Sequence, residues 1–267
     1  MSETDPQSPK VSRPSKHFSD AELMRYARQI ILPGWDIEAQ SKLAEASVLV
    51  IGAGGLGCPL ALSLCRAGVG ALTLIDIDVV ELSNLQRQSL FTEAHLGQSK
   101  AQVAASELKK HNPHVVLNGV QDRVQHCTHE FLGGFDLIVD GSDNFATRDW
   151  LNSAAFDLSL PLLSAAAIGF DGQLAFYDFS RSDQACYRCV FGEGGVDTRC
   201  SELGVLTTTT QVMGALAANA ALIWLGQGVN TLKNQLLLWS AKTLTSRKIT
   251  YHRDPLCEVC GTPPEST

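Results

Sequence analysis

Short runs of aliphatic and β-branched residues alternate with longer amphipathic stretches up to about position 160. Ser47 to Ile51 reads S-V-L-V-I, an apolar run with no polar alternation, which suits a strand buried on both faces of a parallel sheet. Ala71 to Asp76 (A-L-T-L-I-D), Val115 to Val120 and Phe135 to Asp140 (F-D-L-I-V-D) supply three more strands. Between them, Pro59 to Arg66, Gln98 to Lys110 and Arg148 to Phe156 carry helical patterns. Ahead of all of these, Asp20 is placed to cap a helix from Ala21 to about Ile30, with Glu22 in its first turn. Alternation of this kind specifies an α/β fold, a Rossmann-like parallel sheet flanked by helices.

Beyond position 160 the pattern changes. Leu162 to Ala167 predicts another core strand, and Gly169 to Phe179 alternates around Asp171–Gly172, a hairpin signal. Leu206 to Leu225 predicts a long buried helix, and Leu236 to Trp239 and Lys248 to His252 predict late strands. The fold class is therefore α/β with a C-terminal, partly antiparallel extension. Four segments follow: a disordered tail over 1–19, a nucleotide-binding half over 20–160, a sheet extension with crossover loop and helix over 161–261, and a flexible tail over 262–267. No internal repeat is evident.

Charge narrows the partners. A formal net charge of −7 argues against nucleic acid, and the only compact basic run, Lys109–Lys110–His111, reads as a solvated helix end. The first residues are polar and hold Pro6, Pro9 and Pro14, without the apolar core of a secretory signal. Leu216 to Leu225 is too short to span a bilayer, so no membrane association and a cytoplasmic location are expected.

Chemistry concentrates in two places. Gly52, Gly54, Gly55 and Gly57 form G-A-G-G-L-G between a strand and a helix, where backbone amides can approach phosphate oxygens. Asp76 ends the next strand, placed to accept from ribose hydroxyls. This pattern alone would favour NAD. Downstream, Asp78, Asn84, Arg87 and Lys100 follow, and Asp140 and Asp143 close the fourth strand in V-D-G-S-D-N. Cations near a triphosphate neutralise charge that grows during transfer, and a carboxylate at the sheet's C-terminal edge can hold Mg²⁺. That surplus of charge points to ATP with Mg²⁺ rather than to an NAD-linked oxidoreductase.

The second concentration is cysteine. Of eight cysteines, Cys186 and Cys189 form one C-x-x-C pair and Cys257 and Cys260 another. Two such hooks can wrap one tetrahedral Zn²⁺ with no open position, hence a structural site. Cys58 and Cys65, on the helix after the glycine turn, read as packing residues, and the histidines show no spacing that would make a hydrolytic triad. Cys200 lies beside Arg199 in a loop, where positive charge would favour its thiolate; the alternative is a loop cysteine without an essential part.

The ordered set R-Y-A-R-Q-I at 25–30, I-G-A-G-G-L-G at 51–57, L-S-N-L-Q-R-Q at 82–88, G-S-D-N at 141–144, C-Y-R-C at 186–189 and C-E-V-C-G at 257–261 resembles the E1-like adenylating proteins of the molybdopterin-synthase-activating and thiamine-biosynthetic (ThiF) type. Departures are modest: Ser142 stands where threonine is common, and 207–210 are all threonine. The resemblance implies adenylation of the C-terminal glycine of a small ubiquitin-like sulfur-carrier protein, in molybdenum-cofactor synthesis or, alternatively, in thiamine thiazole synthesis. It implies a homodimer in which Arg28 reaches the partner's ATP phosphates. Arg87 and Lys100 would contact phosphates in their own subunit, Asn84 would hold the phosphate region, Asp76 would bind ribose and Asp143 would organise Mg²⁺. By the resemblance, Cys200 matches a loop cysteine that takes part in covalent sulfur or acyl chemistry in some relatives and is not needed in others, and a sulfur-donor protein is a further expected partner. A non-catalytic carrier-binding scaffold is the alternative of another class, disfavoured because the cationic and acidic set is complete.

Overall fold

A computed structural model describes residues 17–181, 183–193 and 204–261. Of the tail expected over 1–19, residues 1–16 lie outside the described residues, as does the tail over 262–267, while Phe18 packs edge-on against Tyr26 and Ser19 begins the first helix. Helices α1 (Asp20–Ile30) and α2 (Ile37–Glu45) precede β1 (Ser47–Ile51), α3 (Gly57–Ala67) and β2 (Ala71–Ile75). Then come α4 (Lys100–His111), β3 (Val116–Val120), α5 (His129–Gly133), β4 (Leu137–Asp140) and α6 (Phe145–Asp157). The second part holds β5 (Leu162–Ile168), β6 (Asp171–Tyr177), α7 (Tyr187–Phe191), α8 (Thr207–Gln227), β7 (Gln235–Ser240) and β8 (Thr245–Thr250).

One eight-stranded sheet runs in the order β3-β2-β1-β4-β5-β6-β7-β8. The pairs from β3 through to β5 are parallel, and those from β5 to β8 are antiparallel. The unbroken apolar run of β1 has a direct cause. Val48 and Val50 pack into the core on one face while Leu49 and Ile51 pack into the core on the other. Neither face can be polar, so the alternation of a half-exposed strand is missing. Helices α3 and α8 belong to the first core, and Leu151, Ala154 and Ala155 of α6 to the second. Among the described residues no helix is long and apolar enough to cross a membrane.

Two sequence expectations need correction. Ser19, not Asp20, caps α1: its hydroxyl accepts from the Glu22 backbone N–H while the Glu22 carboxylate accepts from Ser19 N. Reciprocal bonding of this type satisfies two helix-end donors and outcompetes a single Asp. The hairpin turn lies at Gly169–Phe170, because Ile168 already pairs with Asp171 and Ala167 with Gly172. Gly169 takes φ +57, the left-handed value such a two-residue turn needs at its first position. Gly172 is glycine for another reason: a Cβ there would lie 2.3 Å from Met213 on α8. Helix α2, which no expectation covered, starts from Asp36, whose carboxylate accepts from Ala39 N at 2.9 Å.

Candidate nucleotide and metal sites

Strand β1 pairs with β2 on one side and β4 on the other, and the chain reverses its winding between them. At such a switch point, the loops leaving the strands' carboxyl ends part and open a crevice. A cleft of about 1410 Å³ occupies it, lined by the glycine turn, Asp76, Arg87, Lys100 and Asp143 among others. These sequence-predicted residues are thus brought together, with Asp78 and Asn84 beside them.

Local physics explains the turn. A Cβ on Gly57 would sit 1.8 Å from the carbonyl oxygen of Gly52, so the first helical residue can only be glycine. No side chain caps the N-terminus of α3, so the positive end of its dipole faces the cleft, although Cys58 N already donates to the Gly54 carbonyl and Pro59 has no N–H. The carboxylate of Asp76 braces the turn from below. Its Oδ2 accepts from Ala53 N at 2.7 Å and its Oδ1 from Asp78 N at 2.8 Å. Burial pushes this carboxyl above its ordinary range, opposed by the two N–H donors and by Lys100. Asp76 therefore fixes the loop geometry.

Lys100 is the first residue of α4, and its side chain is only 8% exposed. Its ammonium meets Asp78 Oδ2 at 2.8 Å. Asn84 is buried, with Oδ1 accepting from Glu81 N, and Arg87 donates to the Ser83 carbonyl at 3.1 Å. The start of α8 fastens this segment, since Thr207 Oγ1 donates to the Gln86 carbonyl and Gln211 Nε2 to that of Arg87.

Asp140 and Asp143 part ways. Asp140 is buried, and accepts from Ser142 N and Oγ and from Ser164 Oγ. Arg148 completes the brace, donating to the Ser142 carbonyl at 2.6 Å with its Nε 3.8 Å from Asp140. Asp140 thus shapes the turn that Asp143 rides on, and exposed Asp143 is the carboxylate open to the cleft. Arg28, in contrast, is exposed on α1 and does not line the cleft of its own chain. Gln88 and Arg148 also line the cleft and were not singled out from sequence. Gln88 directly follows Arg87. Arg148 lies one helical turn beyond Asn144, the N-cap of α6, so its side chain tilts back over the turn.

The four cysteines of the two hooks converge, with all four sulfurs within 4.8 Å of one another. Cys186 and Cys257 Sγ are 3.5 Å apart, Cys189 and Cys260 3.3 Å, and Cys186 and Cys189 3.9 Å. A tetrahedral Zn²⁺ with Zn–S bonds of about 2.3 Å sets its sulfurs roughly 3.8 Å apart, so the cluster fits that ion. The hook is tied to α6: Arg188 makes a bidentate pair with Asp149 at 2.6 and 2.7 Å, and Tyr187 N donates to Asn152 Oδ1. Cys58 and Cys65 are fully buried, and burial holds their thiols up at about 12 and about 11, which suits inert packing residues. Cys200 lies outside the described residues.

Comparison with known proteins now bears on the arrangement. The ThiF family model matches residues 26–259. A molybdopterin-synthase adenylyltransferase of Salmonella typhimurium is 40% identical over 248 residues, covering 91% of this chain and 98% of the relative. A sulfur carrier protein ThiS adenylyltransferase of Escherichia coli is 40% identical over 246 residues, covering 91% and 97%. In fold, the chain resembles E. coli MccB crystallised with ATP, with a TM-score of 0.77 at 23% identity over 89% of this chain and 73% of that one.

Proposed function

The chain belongs to the ThiF family, and from that premise we propose that it binds ATP·Mg²⁺ and adenylates the C-terminal glycine of a ubiquitin-like sulfur-carrier protein. One observation carries the reading: a single cleft gathers the uncapped helix start after the glycine turn, Arg87, Lys100 and Asp143. This is the donor and acceptor set a triphosphate and its metal require, and hydride transfer to NAD has no use for it. The relatives named as adenylyltransferases for molybdopterin synthase and for ThiS support the same chemistry.

In the reaction an oxygen of the carrier's terminal carboxylate attacks the α-phosphorus of ATP. A P–O bond forms, the bond from that phosphorus to the β-bridging oxygen breaks, and the electron pair leaves with pyrophosphate. A terminal carboxylate is ionised at neutral pH, so no general base is needed. Positioning and charge stabilisation supply the catalysis. Arg87, Lys100 and the amides of the glycine turn, with the α3 dipole behind them, hold phosphate oxygens, Asn84 keeps the Arg87 segment in place, and Asp76 and Asp78 address the ribose side and the Lys100 ammonium. Asp143 would hold Mg²⁺, which would supply positive charge beside the departing pyrophosphate. The thiolates of Cys186, Cys189, Cys257 and Cys260 would hold a structural Zn²⁺.

Arg28 acts across a homodimer. Its exposure outside its own cleft supports this, as do the apolar side chains left open on and after the same helix: Met24 at 79%, Ile31 at 68% and Leu32 at 55% exposure. Cys200 is a candidate for the later sulfur step, with a separate sulfur-donor protein. The molybdopterin-synthase small subunit is the favoured carrier and the ThiS-type carrier the second reading. Pyrophosphate release measured with each purified carrier separates them, and release with neither refutes the proposal.

A further inference from the structure

Gln88 forms part of the cleft wall and is only 3% exposed. Its Nε2 lies 3.7 Å from where a Cβ on Gly54 would stand, so the carboxamide rests against the phosphate-facing turn. Its Oε1 is buried and has no hydrogen-bond partner among the described residues. A buried amide oxygen without a donor is a net cost to the fold, whereas methionine or leucine would fill similar space without it. The carboxamide torsion is broad and two-fold, so either end can turn to the cleft.

The chemistry beside Gly54 limits what satisfies that oxygen. A deprotonated triphosphate and an ionised carboxylate carry acceptors only. The amide N–H₂ of Gln88 serves them, and Oε1 cannot. The ribose hydroxyls belong to the Asp76 side of the cleft, at the end of β2. The donor that can arrive next to the phosphates is a peptide N–H of the incoming acyl substrate. We infer that Gln88 recognises the backbone N–H of the carrier's terminal glycine, accepting it at Oε1 while its Nε2 donates to a phosphate oxygen of ATP. This assignment rests on the adenylation reading. It makes Gln88 a specificity-determining residue that distinguishes a peptide tail from a simple carboxylate and aligns the attacking carboxylate with the α-phosphorus.

The test uses ATP–pyrophosphate exchange by the full chain, with a semisynthetic ubiquitin-like carrier ending in Gly-Gly. Its counterpart ends in glycolate, so that an ester oxygen replaces the last N–H without added bulk. The wild type should lose about tenfold in kcat/KM on going from glycine to glycolate, the usual scale of one neutral hydrogen bond. Gln88→Met should lose a similar factor with the native tail and almost nothing further with glycolate. Gln88→Glu keeps the acceptor, so it should retain the glycolate penalty while binding ATP more weakly. Gln88→Leu replaces the methionine variant if that one does not fold. An equal glycolate penalty in wild type and Gln88→Met would overturn the assignment alone. Absence of exchange by the wild type with the Gly-Gly carrier would overturn the adenylation reading and the assignment with it.

Discussion

Replacing Lys100 by methionine separates the site's chemistry from its fold. The ammonium has a side chain 8% exposed, and its partner Asp78 is 62% exposed. Lys100 also opens α4, where the helix dipole disfavours a cation by about 0.3–1 kcal/mol. Methionine keeps most of the length and apolar contact, removes the desolvation cost and leaves Asp78 to water, while half-buried Asp76 loses a countercharge but keeps its two N–H donors. Losing a pair with so exposed a partner costs about 0–1 kcal/mol. These terms offset, so stability should change by less than about 1 kcal/mol, a shift in Tm of about 2–4 °C or less for a chain of this size. Catalysis has no such compensation. Removing one preorganised cation from a developing phosphate charge costs roughly 10²–10³ in rate. Thermal unfolding and ATP–pyrophosphate exchange on the same preparation give both numbers. A destabilisation of several kcal/mol, or exchange within threefold of wild type, would refute the reasoning that this lysine stands at an unfavourable helix start for the sake of ATP.

Two further outcomes follow from the sites. Metal analysis should find about one Zn²⁺ per chain, and Cys189→Ala should lose the metal and melt at lower temperature, since three thiolates hold it poorly; full zinc retention would contradict the four-thiolate site. Mixing Arg28→Ala with Asp143→Ala protein should restore partial pyrophosphate release, because each hybrid dimer contains one intact cleft; confirmed hybrids without activity would exclude action in trans.

Strands β1, β2 and β4 were the most legible part of the fold, because burial on both faces leaves nearly uninterrupted apolar runs, whereas β3 is half exposed and exposed β8 begins at Thr245 rather than Lys248. Ser47–Ile51 agrees at both ends, and the other parallel strands to within two residues. Turn and cap positions were less legible, since they depend on competition between neighbours. Ser19 beats Asp20 through the Glu22 reciprocal bond, and Asp171–Gly172 resembles a turn although its glycine exists to admit Met213. The cleft residues could be read because phosphate chemistry demands glycine and charge at set places. The different fates of Asp140 and Asp143 could not: both are aspartates in one short motif, and only the packing of Ser164 and Arg148 shows that one is buried. Gln88 escaped for a related reason, as its amide has meaning only once its burial and its unpaired oxygen are known.

The central claim is that this chain transfers AMP to a carrier's terminal carboxylate. Intact-mass analysis of a purified sulfur carrier, incubated with the protein, ATP and Mg²⁺ but no sulfur donor, tests it most directly. The account predicts a carrier heavier by one AMP at its C-terminal glycine, matched by pyrophosphate in equal amount, and no change when Asp143→Ala replaces the wild type. A carrier of unchanged mass while the protein binds NAD and excludes ATP would contradict it.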